Sequence, residues 1–360
     1  MDAKKLFSSK IDRRRMLGNL GMMGAGAVLT ACGGAIGQKP DPKATDYDAA
    51  ILNFALNLEY LEAAFYLAAV GRIGELPGYT PEKVLVPTGF DPTAGISFPD
   101  PAGMNAAAAS VGEYANEIAT DELAHVVFLR KALGTSAGDL PTLDLNASFK
   151  GAAAAAFGLV ADPASLGLPA GFTPEQFEPL SDNGPISEAL FLHGAFIFED
   201  VGVTAYKGAA KFITNPDTLE AAAGILAVEA YHASEVRTFL YGADKRRADI
   251  YGGLDTWTIV SAISAARNAL GGGEDFVDQG IVAEARFGLS TQAHGGANIV
   301  PTDPNGIAPS RTPRQVANIV FLNPDNAALK GGFFPNGISI PANLLDQTLA
   351  LLDPTFPANL

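Results

Sequence analysis

Glu122-Leu123-Ala124-His125 and Glu229-Ala230-Tyr231-His232 decide how this chain is read, because each sets a carboxylate and an imidazole three residues apart inside a segment of helical period. At roughly 100° per residue the two side chains of each pair stand about 60° apart on one helix face and can reach the same ion. Around the first pair, Val111, Ala115, Ile118, Leu129 and Leu133 form an apolar stripe, with Glu113 and Glu117 on the opposite face. Around the second, Ala222, Ile225, Val236 and Phe239 do the same, with Glu235 off to the side. Both pairs are expected to face a core rather than water.

Working outward, four segments carry helical periodicity: Asp46–Val70, capped by Asp46 or Asp48 and stopped by Gly71; Asn105–Leu133, closing at Gly134; Ile186 to about Phe212; and Pro216 or Asp217 to Tyr241, stopped by Gly242. Asn215-Pro216-Asp217 is a tight break, so the last two segments read as an antiparallel hairpin. Residues 71–104 are a Gly- and Pro-rich insertion without period, and 134–184 form a long crossover with one Ala-rich helical piece near 151–160. Two hairpins joined by a long crossover predict an all-α four-helix bundle spanning 47–241. Beyond it, residues 242–360 show helical patterns at Asp255–Leu270, Asp275–Phe287 and Pro313–Phe321, separated by Gly271-Gly272-Gly273, His294-Gly295-Gly296 and Gly331-Gly332. They are expected to be an irregular, partly helical extension that packs on the bundle.

The other two helices supply carboxylates of their own. Glu59 stands in the stripe Leu52, Ala55, Leu56, Ala63, Tyr66, with Glu62 about 60° round the wheel; Glu199 stands in Leu192, Ala195, Phe196, Val203, Tyr206. A lone buried carboxylate costs several kcal/mol and takes a proton instead. Four or five converging carboxylates with two imidazoles call for cations, and two ions fit the count. With 16 Glu and 4 His in 360 residues, two Glu-x-x-His pairs arise by chance in about one or two chains per hundred, before both are required to face inward. The alternative is an ion-free bundle with polar core contacts. His193, off the Glu199 stripe, and His294, in a Gly-rich loop, are expected to be structural or solvent-exposed.

Composition narrows the chemistry. Lys plus Arg number 24 against 39 Asp plus Glu, and a net charge of −15 argues against a nucleic-acid partner. One cysteine forbids an intramolecular disulfide and any Cys-rich metal cage, so a metal must sit on carboxylate and imidazole, donors that suit iron or manganese. That cysteine, Cys32, closes an N-terminal pattern: Lys4, Lys5, Lys10 and Arg13-Arg14-Arg15, then a mildly apolar stretch from Met16 to Leu29 too short and Gly-rich to span a bilayer. Residues 1–31 read as a signal peptide and 32–46 as a tether. Arg13-Arg14-Arg15-Met16-Leu17 resembles the twin-arginine export motif, and Leu29-Thr30-Ala31-Cys32 resembles a bacterial lipobox. Those resemblances imply an exported, membrane-anchored lipoprotein on the periplasmic or extracytoplasmic side, lipidated at Cys32. Six basic and two acidic residues precede Cys32, so the remainder carries −19.

The segments Ala55-Leu56-Asn57-Leu58-Glu59-Tyr60-Leu61-Glu62-Ala63-Ala64-Phe65-Tyr66 and Asp121-Glu122-Leu123-Ala124-His125-Val126-Val127-Phe128-Leu129-Arg130 resemble the ferritin-like superfamily, and within it the bacterial and plant group that includes desiccation-related proteins. The likeness covers 47–241 best. It implies a ferritin-like bundle holding two Fe ions, alternatively Mn, on one Glu from each of two helices and a Glu-x-x-His from each of the others. Carried onto this chain, Glu59 and Glu199 become terminal ligands, Glu122 and Glu229 bridging or near-bridging ones, and His125 and His232 bind one metal each. Tyr66, seven residues after Glu59, falls where ferritins place a tyrosine near the centre, and Glu62 is either a further ligand or a neighbour of the ligands. The implied function is a di-iron or di-manganese protein reacting with O2 or peroxide as its small oxidant, by iron oxidation or peroxide removal. A non-enzymatic envelope protein of stress tolerance with a structural metal site is the alternative, and oxygenase chemistry on an organic substrate a third. The long insertion, the extension and the tether set the chain apart from a closed iron-storage shell.

Overall fold

The computed structural model describes residues 46–98, 110–158, 173–181, 186–246, 256–272, 277–282, 296–324 and 329–356. The N-terminal pattern with Cys32, and His294, lie outside them. Eight α-helices are present among these residues: α1 Asp48–Ala69, α2 Val111–Leu133, α3 Ala147–Gly158, α4 Ser187–Ala210, α5 Pro216–Arg246, α6 Thr256–Gly271, α7 Pro313–Val320 and α8 Leu345–Leu351. Helices α1, α2, α4 and α5 form the bundle, α1 pairing with α2 and α4 with α5 along their lengths. This is the expected mostly helical architecture. Its one sheet among the described residues is a parallel two-residue pair, β1 (Val84–Leu85) against β2 (Leu143–Asp144), which ties the insertion to the crossover.

Local chemistry sets the helix ends. α2 opens behind a capping box in which the Ser110 hydroxyl accepts from the Glu113 amide and the Glu113 carboxylate accepts from the Ser110 amide. The helix therefore starts at Val111; the expected start at Asn105 lies outside the described residues. α1 is preceded by Tyr47, which caps with no side-chain bond, so neither expected aspartate is its N-cap. Asp48 instead accepts from the Thr214 and Asn215 amides and pins the α4–α5 turn. Gly71 ends α1 at φ +76, as expected of a helix stop. Gly242 does not end α5: a lone glycine costs about 1 kcal/mol in a helix, and Ala243 to Arg246 carry α5 on to Arg246. Thr312 and Gln315 box the start of α7, where Pro313 takes the first position.

Two of the bundle helices are covered on every side. In α1, 20 of 22 residues are buried, so it is a central helix rather than an amphipathic one. α4 lies likewise under α6 and α7. Aromatic rings make that cover: Phe65 stacks on Phe191 at 5.3 Å, and Phe333 meets Phe149 at 5.1 Å and Phe198 at 5.0 Å. Such pairs add about 0.5–1.5 kcal/mol each beyond area burial. α2 and α5 keep a wet outer face, with Val127, Phe128 and Tyr231 exposed. The expected helix over Asp275–Phe287 is not formed at its described residues 277–282, which make bends and an isolated bridge from Val282 to Ala297. Asp278 there is drawn into an ion-pair network instead of a helix.

That network is buried. Asp200, next to Glu199 on α4, bonds Arg237 of α5 at 2.7 Å and Arg267 of α6 at 2.8 Å; Arg267 also holds Asp278 at 2.6 Å, and Arg311 pairs with Asp278. Arg311 further donates to the Thr204 hydroxyl at 2.7 Å. The chain passes so close to α4 there that a Cβ on Gly208 would fall on the Arg311 carbonyl, so only glycine fits. No helix among the described residues is long and apolar enough to cross a membrane.

Candidate metal centre

The bundle brings all six predicted ligand side chains to one place at its middle, each buried. They fall into two groups whose ligand atoms lie within 4.8 Å of one another: Glu59, Glu122, His125 and Glu229; and Glu122, Glu199 and His232. Glu122 belongs to both. Its Oε2 stands 3.6 Å from His125 Nδ1 and its Oε1 2.9 Å from His232 Nδ1, so one carboxylate addresses two imidazoles. The imidazole centroids are 6.4 Å apart, which leaves room for two ions at the ~3.5–4 Å spacing of two-metal sites. Glu229 lies with the first group, its Oε1 3.9 Å from His125 Nδ1. The resemblance gives it a bridging or near-bridging role, and Gly202 makes room for it where it lies. A Cβ at 202 would fall on the Glu229 carboxylate, so the missing side chain of α4 is the space that carboxylate fills.

The two halves are held from behind. Tyr66 of α1 donates its hydroxyl proton to Glu199 of α4, and Tyr206 of α4 donates to Glu59 of α1, an exchange across the bundle. His125 Nδ1 is 3.1 Å from Glu59 Oε2. His232 Nε2 is 3.3 Å from Asp121 Oδ2, which orients the ring and turns Nδ1 toward the cluster. Glu62 is buried beside these residues but outside both groups, next to Gly202 in a small apolar cavity with Phe198 and Phe333. His193 is structural, its Nδ1 2.6 Å from the Ala189 carbonyl, and burial lowers it to about 4.

The electrostatics are those of a cluster short of positive charge. Burial, then the Glu122 charge, pushes Glu59 up to about 7 although His125 pulls it back. Burial raises Glu199 to about 8, with Glu122 adding and His232 opposing. Glu62 and Glu229 are driven well above the ordinary carboxylate range by burial first and the other carboxylates next. Glu122 runs the other way: burial would raise it, but His125 and His232 hold it well below that range. Against burial, Glu59 and Glu122 lift His125 to about 11, and Glu122, Glu199 and Asp121 lift His232 to about 10. Protons do here what cations could do.

The donor atoms fit metal ions. Both oxygens of Glu122, both of Glu229, Glu199 Oε2 and His232 Nδ1 are buried without a hydrogen-bond partner, a cost of roughly 1–3 kcal/mol per group that coordination would remove. His232 Nδ1 and Glu122 Oε1 approach to 2.9 Å without hydrogen-bond geometry, as two ligands aimed at a common third point do. Every donor is oxygen or nitrogen, a set suited to hard and borderline metal ions.

The sequence reading did not assign Tyr206, Asp121, Gly202 or the Asp200 network. Tyr206 had a signal, since it follows Glu199 by seven residues as Tyr66 follows Glu59; the others had none.

A family model described as Ferritin-like domain matches residues 47–242. The chain is similar to Desiccation-related protein PCC13-62 of Craterostigma plantagineum, 28% identical over 294 residues that cover 80% of this chain and 82% of that one. It is also similar to Ferritin-like catalase Nec2 of Nesocodon mauritianus, 25% identical over 296 residues, 81% of this chain and 83% of the relative. No solved structure matches it.

Proposed function

The chain belongs to the ferritin-like domain family, and on that premise we propose that it removes peroxide with two ions, iron or manganese, held by Glu59, Glu122, His125, Glu199, Glu229 and His232. One observation carries the reading: the two oxygens of the buried Glu122 face two separate imidazoles. Two such ions would supply two-electron redox chemistry, by which one peroxide could be reduced to two waters with the two electrons and two protons that a second gives up in becoming dioxygen. The chain's own residues do the rest. Tyr66 and Tyr206 fix the outer carboxylates, the surrounding apolar core keeps bulk water away, and burial beside the other carboxylates drives Glu62 well above the ordinary carboxylate range, toward its protonated form. The relative named a ferritin-like catalase supports peroxide over iron oxidation as the reaction.

The same proposal has the protein exported and anchored by lipid on Cys32, on the support of Arg13-Arg14-Arg15-Met16-Leu17 and Leu29-Thr30-Ala31-Cys32. The test is hydrogen peroxide consumption by iron- or manganese-loaded protein, with one dioxygen released per two peroxides and the activity lost in Glu122→Ala. A second reading, a non-enzymatic stress protein with structural metal, is supported by the desiccation-related relative. Loaded protein that melts higher than metal-free protein yet consumes no peroxide would favour it.

A further inference from the structure

A cavity of about 210 Å³ opens at the end of the bundle where the C-terminus of α2 meets the start of α5. All four bundle helices line it. Leu129, Ala222, Ile225 and Tyr206 make its buried end, with half-buried Leu52 beside them. Phe128, Ala132, Asp217 and Thr218 surround its mouth, and Phe128 is 44% exposed there. Its depth matters, because Leu129 is one helical turn from His125 and Ile225 one turn from Glu229, while Tyr206 is the residue whose hydroxyl bonds Glu59. The cavity is thus a shaft that ends behind the His125 half of the centre.

Its size and lining choose the occupant. Water, dioxygen or hydrogen peroxide needs far less room. An apolar cavity of roughly 150 Å³ already holds benzene, so by proportion this one takes about eight to ten non-hydrogen atoms. A hydrated cation would lose its water against Leu52, Leu129 and Ile225 with nothing to replace it. The one polar residue at the buried end is Tyr206, whose hydroxyl donates to Glu59. That leaves its lone pairs for a hydroxyl-type donor arriving from the shaft. The complementary molecule has an apolar body and a single O–H end.

We propose that this shaft binds an organic hydroperoxide, its apolar group among Leu52, Leu129, Ala222 and Ile225 and its O–OH end on the Tyr206 oxygen. The choice of hydroperoxide over other molecules with an O–H end rests on the peroxide reading above; the shaft itself does not depend on it. The test is a calorimetric titration of the metal-free full-length chain with 1-phenylethanol, a redox-inert probe of nine non-hydrogen atoms, followed by its displacement with 1-phenylethyl hydroperoxide. The expected result is saturable binding that the hydroperoxide competes away and that weakens at least tenfold in both Ala132→Trp, at the mouth, and Ala222→Leu, at the buried end. Ala222 also borders a second small cavity with Phe54 and Val316, which Ala132 does not touch. Weakening in Ala222→Leu alone would put the probe in that neighbour and overturn the proposal, as would unsaturable binding, undiminished affinity in Ala222→Leu or failure of the hydroperoxide to compete. Since the titration needs neither metal nor turnover, a loaded protein that consumes no peroxide leaves its result standing.

Discussion

The His125 half of the centre and the His232 half share Glu122 and are built on one plan, each with an outer glutamate held by a tyrosine from the opposite helix. What stands behind them differs. The His125 half gathers three carboxylates, and beyond them lies the apolar shaft. The His232 half gathers two. Its imidazole is tied outward to Asp121, which is 43% exposed, and its Glu199 sits next to Asp200, which three buried arginines and Asp278 lock to the C-terminal extension. The same ligand types can therefore hold two ions of unequal standing: one backed by an apolar cavity, the other near an exposed carboxylate and fixed by charge. A near-twofold arrangement of ligands does not make two equivalent sites, because the tightness of each is set by the residues behind it.

The largest effect should come from breaking both halves at once. Glu122→Ala takes a ligand from each, and protein loaded under saturating metal should lose all peroxide turnover; removing one partner of a buried charged cluster also costs about 3–5 kcal/mol in denaturant unfolding. Retained turnover would show that the halves do not depend on the shared carboxylate.

Next is pH, where metal-free and loaded protein should part. Glu59 at about 7 and Glu199 at about 8 are raised from 4.5, and His125 at about 11 and His232 at about 10 are raised from 6.5. A raised group in the folded state contributes stability that is complete below its unfolded value and lost as pH climbs through the folded one. Glu122 is lowered, and its contribution is lost only in acid below the carboxylate range. Chelated protein should thus weaken steadily from pH 5 to pH 9, while loaded protein, with ions in place of protons, should stay level. The outer carboxyls Glu59 and Glu199 should both titrate by infrared above the ordinary carboxylate range. Parallel melting curves for the two forms across this range would contradict the account.

Arg267→Met tests what holds the His232 half. It leaves Asp200 to Arg237 alone and Asp278 to Arg311 alone, and should cost about 3 kcal/mol. A loss under 1 kcal/mol would mean the extension is not fastened through this network. Gly202→Ala tests the other half: the new Cβ must displace the Glu229 carboxylate, for about 1–3 kcal/mol, so one of the two ions should weaken while the second keeps its affinity. Two ions weakened equally would erase the distinction between halves. The smallest effect is Asp121→Asn, which should lower affinity in the His232 half about 10-fold, at the low end for an orienting partner of a metal-bound histidine, without disturbing the His125 half.

How much of this was open to sequence reading follows from the distance over which each feature is encoded. Glu122 with His125, and Glu229 with His232, repeat at helical period inside apolar stripes, and a stripe of seven residues states its own orientation. Hence the bundle and all six side chains were legible. Tyr206 had its signal in the spacing from Glu199. Gly202 and Gly208 had none, because what they make room for, a carboxylate on α5 and a backbone 103 residues away, has no local trace. Arg237, Arg267 and Arg311 carry no local mark of burial; three arginines meeting two aspartates in the core is a property of the folded chain alone. Helix α8, only seven residues between prolines, falls below any useful period.

The central claim is that Glu122 stands between two ions, and the most direct measurement is an anaerobic equilibrium titration of the chelated protein with Fe(II) or Mn(II), counting ions bound per chain. The account predicts two, with the second lost together with the first in Glu122→Ala. Saturation at a single ion, or no binding with all six side chains intact, would contradict it.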